Sequence, residues 1–370
     1  MNKDSAGIGR PEPALHQGIP QRSRSLAADR RFVAGGSRRR PQAHPPAQDW
    51  RQSMKAAIRD SATLLDHLGL AGRVPLCRDE AFPTFVPPEF LARIRPGDPH
   101  DPLLRQVLAI ADEDQTVAGF AADPVGDLNA TACQGLLQKY DGRALMITTA
   151  ACGIHCRYCF RREFPYSDMS GVGTHWNDAI DFLSQRKDID EVLLSGGDPL
   201  TLTDDVLGGL LERLNQIEHV RRIRLHSRMP IVIPSRVTPE LVSMLHEGHA
   251  TSWMVVHCNH ASEIDGDVEA SIAALVDGGI PVLNQAVLLR GVNDDVATLE
   301  TLCRRMVDLR VQPYYLHQLD RVRGAAHFEV SPDRGRAIVQ QLRTRLPGYA
   351  VPTYVQEQCG AASKTPIADT

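Results

Sequence analysis

The feature that most constrains the fold of this chain is a strand-then-helix order that recurs six times from residue 144 onward. Apolar runs end in a polar stretch, and a segment of helical periodicity then follows. This order predicts a parallel sheet with right-handed crossovers. The strands are predicted at 144–149, 191–194, 222–225, 253–256, 282–283 and 312–316. The helices are predicted at 206–217, 239–247, 268–277, 296–309 and 332–345.

The polar, distinctive residues of each unit come directly after its strand. Because parallel strands end on the same side of a sheet, these loops are expected to converge on one mouth. A barrel and a doubly wound open sheet both fit this order. The post-strand segments include Ser195-Gly-Gly-Asp-Pro199, His226-Ser-Arg228, His257-Cys-Asn-His260, Asn284-Gln285 and His317-Gln-Leu-Asp320.

The remainder of the chain divides by composition and periodicity. Residues 1–49 are rich in proline, contain an Arg38-Arg-Arg40 run and hold few large apolar residues, which predicts a disordered extension. Residues 50–138 are predicted to form an N-terminal helical region, with helices at 50–68, 90–94 and 102–110. The core is then expected to span 139–330, and a C-terminal helix and tail to span 331–370.

Three cysteines, Cys152, Cys156 and Cys159, stand within one short loop after the first predicted strand. Thiolates at this spacing suit a [4Fe–4S] cluster with one iron left open to a small molecule. A structural zinc ion and a disulfide are the alternatives. Zinc would need a fourth ligand, for which His155 is a candidate, but the chain has no second CxxC pair to complete the site.

Bulk properties exclude several classes of function. The net charge of −4 gives no sign of nucleic-acid binding. The sequence contains no run of about 18 apolar residues, so no membrane span is predicted. The cysteines outside the loop are scattered, without the paired spacing of a secreted disulfide scaffold. A reducing cytoplasm is therefore the expected location.

The cysteine loop resembles that of the radical S-adenosylmethionine superfamily, in which an aromatic residue, here Tyr158, precedes the last cysteine. The resemblance implies a [4Fe–4S] cluster, S-adenosylmethionine and an α/β fold, an incomplete (β/α)6 barrel with an N-terminal helical cap. Gly196, Gly197 and Asp198 resemble the superfamily's loop for the methionyl amino group. Glycines there let a ligand approach the backbone, and Asp198 can accept hydrogen bonds from an ammonium group.

Further blocks resemble the lysine 2,3-aminomutase family, in the same order from about residue 100 to the end. In that family a glycine-rich segment followed by Lys-Thr-Pro holds pyridoxal phosphate, which implies that Lys364 is the cofactor lysine. The blocks are Arg157-Tyr-Cys-Phe-Arg-Arg162, Ser195-Gly-Gly-Asp-Pro-Leu200, Ser227-Arg-Met-Pro230, Leu288-Leu-Arg-Gly-Val-Asn-Asp294, Pro313-Tyr-Tyr315, Gly324-Ala-Ala-His-Phe328 and Gly360-Ala-Ala-Ser-Lys-Thr-Pro366.

The same resemblance implies roles for other positions. Arg161 matches the arginine that binds the substrate carboxylate, and Asp320 and Glu357 match two acids that hold the distal ammonium of lysine. Glu357 departs from the commoner aspartate by one methylene. Lys139 and Arg143, with Tyr140 between them, match basic residues near the pyridoxal phosphate group. The residues expected to contact adenosine or pyridoxal lie in the same set of post-strand loops and are Ser227, His257, Asn284 and Gln285. His260 is expected to be structural.

The resemblance implies a radical 2,3-amino shift on free L-lysine. A radical is needed because the C3 proton is too weakly acidic for a side-chain base to remove. Within the family the chain resembles the shorter branch that makes β-lysine for elongation factor P and its lysyl ligase, with flavodoxin or ferredoxin as electron donor. The zinc-binding tail of the longer enzymes is absent after Lys364. A catabolic or osmolyte-making aminomutase, a radical enzyme without pyridoxal phosphate acting on RNA or a peptide, and a metal-binding module are the alternatives.

Overall fold

The computed structural model describes residues 49–78, 81–166 and 176–367, so the predicted extension at 1–49 lies outside these residues except for Asp49. The helices are α1 Trp50–Ala56, α2 Ser61–His67, α3 Pro88–Leu91, α4 Pro102–Arg105, α5 Trp176–Gln185, α6 Asp204–Asn215, α7 Met229–Val232, α8 Pro239–His246, α9 Gly266–Asp277, α10 Val296–Asp308 and α11 Pro332–Arg345. The strands are β1 Thr131–Cys133, β2 Leu136–Tyr140, β3 Arg143–Thr149, β4 Glu191–Gly196, β5 Arg222–Ser227, β6 Thr251–His257, β7 Val282–Val287, β8 Gln312–His317, β9 Thr353–Gln356 and β10 Thr365–Pro366.

These strands form one sheet in which spatial order equals chain order, from β1 to β10. Strands β3 through β9 run parallel, while β1, β2 and β10 add antiparallel edges. The order never reverses, so the sheet has no switch point and is not doubly wound. Because β1 and β10 do not pair with each other, the barrel is incomplete, and the predicted fold class is confirmed.

The two faces of the parallel strands differ, because successive side chains point to opposite sides. One face carries apolar residues such as Met146, Leu194 and Leu225, which are fully buried in the main core with the helices. The opposite face carries polar residues such as Ser195 and His226, which line an internal cavity. The outward face of the strands is therefore apolar and packs on the helices, while the inner face mixes polar and apolar residues.

The N-terminal region is less helical than its periodicity predicts. The helix predicted at 50–68 is broken after Ala56, where Ile58 pairs with Val86 in an isolated β-bridge. The second helix, α2, begins after Asp60, whose side chain caps it by accepting the N–H of Thr63 at 2.7 Å. The helices predicted at 90–94 and 102–110 are each a single turn, and β1 and most of β2 lie within 50–138.

This N-terminal region is attached to the cysteine loop by a buried ion pair. Arg157 is fully buried and donates from Nε and Nη2 to the carboxylate of Glu113 at 2.8 and 2.5 Å. Arg162 donates to the same carboxylate at 2.6 Å. Two arginines of the cysteine loop thus share one acid from the preceding region. Across the described ranges, no helix is long and apolar enough to cross a membrane.

Candidate functional site

A cavity of about 580 Å³ is lined by residues of strands β2 to β8 and of the loops that follow the parallel strands. Almost all of the residues predicted to act on a ligand line it. They are Cys152, Cys156, Cys159, Lys139, Tyr140, Arg143, Arg161, Gly196, Gly197, Asp198, Ser227, His257, Gln285, Asp320, Glu357 and Lys364. The fold therefore brings these residues, from widely separated segments, to one cavity.

The three cysteines of the loop line one wall of the cavity. None of the chain's eight cysteines, all of which lie in the described ranges, forms a disulfide. Among the described residues, no three His, Cys, Asp or Glu side chains converge on one metal position. A [4Fe–4S] cluster needs no such position, since each cysteine binds a different iron. His155 bonds through Nδ1 to the carbonyl of Pro83 at 2.7 Å and does not line the cavity, so the donor set fits a cluster better than zinc.

Glycines hold the cysteine loop against the loop that follows β4. The N–H of Gly197 donates to the carbonyl of Thr149, and the N–H of Asp198 donates to that of Ala151, both at 2.7 Å. A Cβ atom at position 197 would lie 2.2 Å from the Ala151 oxygen, so only glycine fits. Gly196 has a φ of +111°, which also favours glycine. These glycines were predicted to let a ligand approach the backbone, and in the structure they allow the close approach of the cysteine loop.

The carboxylate of Asp198 connects two post-strand loops. One oxygen accepts the N–H of Leu200 at 3.0 Å and the hydroxyl of Ser227 at 2.7 Å. The other accepts the N–H groups of Arg228 and Met229 at 2.7 and 3.3 Å. Four donors occupy the acceptor capacity of a carboxylate. The ammonium contact predicted for Asp198 would therefore have to displace one of these donors.

A buried polar network lies behind the cysteines. Arg228 donates from Nη1 to Sγ of Cys156 and from Nη2 to Glu263, each at 2.8 Å. The hydroxyl of Tyr158 lies 3.0 Å from Nε2 of His257. Burial, with Arg228 adding to it, lowers the pKa of His257 to about 3, so this imidazole is neutral. One cation, Arg228, therefore contacts both a predicted cluster ligand and a buried acid.

Lys364, the predicted cofactor lysine, donates from Nζ to Oε2 of Glu357 at 2.6 Å. The other oxygen of Glu357 accepts the hydroxyl of Tyr140 at 2.6 Å and lies 3.4 Å from Nζ of Lys139. Burial raises the pKa of Glu357, but Lys364 and the hydrogen bonds lower it further, and the net pKa is below its usual value. This ionised carboxylate joins β2 to the segment between β9 and β10, at opposite ends of the strand order.

Asp320 lines the cavity and differs from Glu357 in its partners. Its carboxylate makes no hydrogen bond to another described side chain. Burial raises the pKa of Asp320 to about 7, with Glu357 adding to the rise and Lys364 opposing it. A carboxyl group in this state gains most from a cationic ligand, because the ligand supplies the missing counter-charge.

Arg161 also lines the cavity, but a protein carboxylate already holds one of its nitrogens. Its Nε donates to Oδ2 of Asp127 at 2.6 Å, and Nη1 lies 3.4 Å from Oγ of Ser195. Asp127 was not predicted from the sequence. No motif marks it, and it meets Arg161 only because the fold brings together two residues 34 positions apart.

Unpaired groups remain on the cavity wall. The guanidinium of Arg143 lies 4.6 Å from the ring centroid of Tyr140 and forms no ion pair with a described residue, so it can receive an anionic group. Nε2 of His226 is buried without a hydrogen-bond partner in the described structure. Burial lowers the pKa of His226 and of His317 well below the usual value, so both imidazoles are neutral. Both histidines lie in post-strand segments singled out by sequence, although no ligand role was predicted for them.

Two residues of the same post-strand segments serve the fold. Asn284 accepts the N–H of Cys258 at 3.0 Å and donates to its carbonyl at 3.1 Å, so a contact with adenosine or pyridoxal would have to displace these bonds, and that contact stays a prediction. His260 accepts the N–H of Ser262 at 3.1 Å through Nδ1, which confirms its predicted structural role. Neither residue lines the cavity.

Three relatives in sequence match most of the chain. The chain is 41% identical over 327 residues to L-lysine 2,3-aminomutase of Escherichia coli K12, covering 87% of this chain and 95% of that protein. For the enzyme of the same name from Haemophilus influenzae the identity is 38% over 325 residues, with 87% and 96% covered. For that of Clostridium subterminale it is 36% over 329 residues, with 86% and 77% covered. No protein-family model matched the chain.

Solved structures show more distant similarity. A radical SAM methyltransferase from Sphaerobacter thermophilus gives a TM-score of 0.44 at 19% identity, covering 60% of this chain and 68% of that one. Streptococcus suis SuiB bound to S-adenosylmethionine gives 0.42 at 14% identity, covering 60% and 51%. These low scores add nothing to the assignment, which rests on the relatives in sequence. By their identity and coverage, the chain belongs to the L-lysine 2,3-aminomutase family of isomerases.

Proposed function

We propose that this protein converts L-α-lysine to β-lysine by a radical 2,3-amino shift. The observation that carries the proposal is the cavity, which gathers three cysteines, a lysine, an arginine and two acids from separate segments of the chain. These groups match the needs of a [4Fe–4S] cluster, S-adenosylmethionine, pyridoxal phosphate and a substrate with a carboxylate at one end and an ammonium at the other. Membership of the family supports the same reaction.

Cys152, Cys156 and Cys159 would hold the cluster in the cavity that Gly196 and Gly197 also line. With S-adenosylmethionine bound, such a cluster would supply the radical chemistry that removal of the hydrogen atom from C3 requires. The glycines allow close approach to the backbone, and Ser227 and Asp198 keep that backbone in place. His257 and Gln285 would contribute neutral polar contacts to the rest of the molecule.

Lys364 would hold pyridoxal phosphate, which supplies the carbonyl group and conjugated ring through which nitrogen can pass from C2 to C3. Arg143 has no ion pair with a described residue and would receive the phosphate, with Lys139 nearby on β2. The free Nε2 of His226 is a further polar contact on the same wall. These groups fit an anionic aromatic cofactor.

Arg161 would bind the substrate carboxylate, and Asp320 with Glu357 would bind the distal ammonium. If Lys364 holds the cofactor, its Nζ would no longer be available as the cation beside Oε2 of Glu357. The freed oxygen could then accept from the lysine side chain, next to the unpaired Asp320. Because the two acids and the arginine lie at separate places on the cavity wall, they would select a substrate by the distance between its charged ends as well as by its charges.

The direct test is anaerobic incubation of the reconstituted protein with L-lysine, S-adenosylmethionine and a reductant, followed by chromatography for β-lysine. Cys156→Ala should abolish both β-lysine and 5′-deoxyadenosine, while Cys359→Ala, an exposed cysteine outside the loop, should retain both. Omitting pyridoxal phosphate should stop β-lysine formation. Formation of 5′-deoxyadenosine without β-lysine would indicate a different radical enzyme, and bound iron without cleavage would indicate a binding module.

We further propose that the product serves elongation factor P, through its lysyl ligase, with flavodoxin or ferredoxin as reductant in the cytoplasm. The support is the resemblance of Phe160-Arg-Arg-Glu-Phe-Pro-Tyr166, His226-Ser-Arg-Met-Pro-Ile-Val-Ile-Pro234 and Tyr315-Leu-His317 to that branch. Deleting the gene should remove the β-lysyl mass from elongation factor P, and expression of the chain should restore it. An unchanged factor with a fall in free β-lysine would favour a catabolic or osmolyte role.

A further inference from the structure

Asp127, a buried carboxylate outside every recognised motif, bridges two basic residues of the cavity. Its Oδ2 accepts from Nε of Arg161 at 2.6 Å, and its Oδ1 lies 2.7 Å from Nζ of Lys139. Its side chain is 2% exposed, so water does not compete for these contacts. Its own N–H donates to Asp123 at 2.9 Å, which fixes the segment that carries it.

The charges of this group reinforce each other. Burial raises the pKa of Asp127, but Arg161 and Lys139 lower it further, so the net pKa lies below its usual value and the carboxylate is ionised at neutral pH. Burial alone would lower the pKa of Arg161, and Asp127 reverses that effect. The carboxylate of Asp127 and the guanidinium of Arg161 therefore stabilise each other in their charged forms.

The contact determines which side of the Arg161 guanidinium is open. Asp127 occupies Nε, and Nη1 makes only a long contact of 3.4 Å with Ser195. Nη2 makes no hydrogen bond with a described residue, although Arg161 lines the cavity. A guanidinium presents a rigid planar fork, so fixing Nε also fixes the direction of the two terminal nitrogens.

We infer that Asp127 is a positioning residue, which orients Arg161 so that its terminal nitrogens receive the carboxylate of an α-amino acid ligand. The inference rests on the proposed function, because that function gives Arg161 its carboxylate. It adds a residue that would act through Arg161 and never touch the ligand. A purely structural carboxylate would affect all ligands alike, whereas a positioning carboxylate affects only those with the group that Arg161 binds.

The test compares L-lysine with L-lysinamide, which lacks the carboxylate, by calorimetric titration of the pyridoxal-phosphate-loaded protein without S-adenosylmethionine or reductant. Asp127→Asn should weaken lysine binding by about tenfold or more, the loss expected for a charge-assisted hydrogen bond. Lysinamide binding should change by less than about twofold, and Asp127→Glu should recover part of the lysine affinity. Arg161→Lys should remove the preference for lysine over lysinamide.

Asp123→Asn is the matched control, because it disturbs the same segment without touching Arg161. It should affect the two ligands equally. Equal weakening of both ligands by Asp127→Asn would overturn the inference, as would no weakening at all. If the proposed function is wrong, the parent protein should bind neither lysine nor lysinamide. That result differs from the two above, and it would also overturn the inference.

Discussion

Arg228 donates a hydrogen bond from Nη1 to Sγ of Cys156 at 2.8 Å, from a guanidinium that is itself held by Glu263. Hydrogen bonds and positive charge next to a ligating sulfur stabilise the reduced form of an iron–sulfur cluster. The cavity thus has a fixed electrostatic partner at one of its three thiol groups, and that partner comes from the loop after β5.

Arg228→Lys should lower the midpoint potential of the reconstituted cluster, because lysine keeps the charge and loses the fork that reaches both partners. The expected shift is on the order of 60 mV, a tenfold change for a one-electron couple. Electron paramagnetic resonance during a redox titration measures it. Arg222→Lys, at the start of β5 and bonded to Asp190 and Glu191, is the control and should leave the potential unchanged. Equal potentials in the parent and Arg228→Lys would contradict the assignment.

Lys364→Ala should abolish covalent retention of pyridoxal phosphate while iron content stays at the parent level, because the two sites come from separate segments. Borohydride reduction and peptide mapping should place the label on Lys364 in the parent protein. Lys187→Ala, a change at an exposed lysine, should leave the label in place. Labelling of Lys139 instead would transfer the cofactor role to that neighbour, which also lines the cavity.

Asp320 should make lysine binding depend on pH. Its pKa of about 7 means that the carboxyl group is mostly neutral at pH 6 and mostly ionised at pH 8. Because only the ionised form pairs with an ammonium, affinity should rise by up to about tenfold over this range and then level off. Titrations with lysine and with norleucine, which lacks the distal ammonium, check this.

Norleucine and the Asp320→Asn protein should both give flat profiles over the same pH range.

The raised pKa also means that ionising Asp320 costs folding stability, which should fall as pH rises from about 4 to 7. Asp320→Asn should therefore have a higher Tm than the parent at pH 8, although it binds lysine less tightly. A lower Tm would mean that the carboxylate is stabilised by its surroundings.

Glu113→Gln should destabilise the fold by about 3–5 kcal/mol, because it leaves the fully buried charge of Arg157 without its acid. Chemical denaturation gives the free energy of unfolding. Glu163→Gln removes the partner of Arg323 at a pair with side chains 31% and 58% exposed, and should cost less than about 1 kcal/mol. Similar losses in the two proteins would show that burial does not distinguish these pairs.

The sequence predicted the parallel strands well, because each has an apolar run that ends at a polar loop. It missed β9, Thr353–Gln356, which is short and follows a proline, and it missed β1 and β2. It overestimated the first helix, since periodicity alone does not show that Ile58 pairs with Val86. Short strands and bridges depend on partners distant in the chain, so a local pattern cannot reveal them.

Sequence motifs single out the cysteines and the Lys-Thr-Pro segment of Lys364, the fold brings both to one cavity, and their roles stay predictions. The sequence reasoning was incomplete where a side chain depends on contacts between distant segments. Asp127 has no local signature, and Asn284 lies in a suitable loop yet bonds to the backbone of Cys258. A loop position thus indicates which residues can reach the mouth, but the direction of each side chain depends on packing.

The contacts of Glu357 have a consequence for how the barrel holds together. The two ends of the strand order are joined here by the carboxylate of Glu357, which accepts a hydrogen bond from Tyr140 of β2, and no strand pairing links β1 to β10. This closure depends on side-chain contacts and not on a ladder of backbone hydrogen bonds. A substitution at Glu357 would therefore act on the architecture of the barrel as well as on the cavity that Glu357 lines.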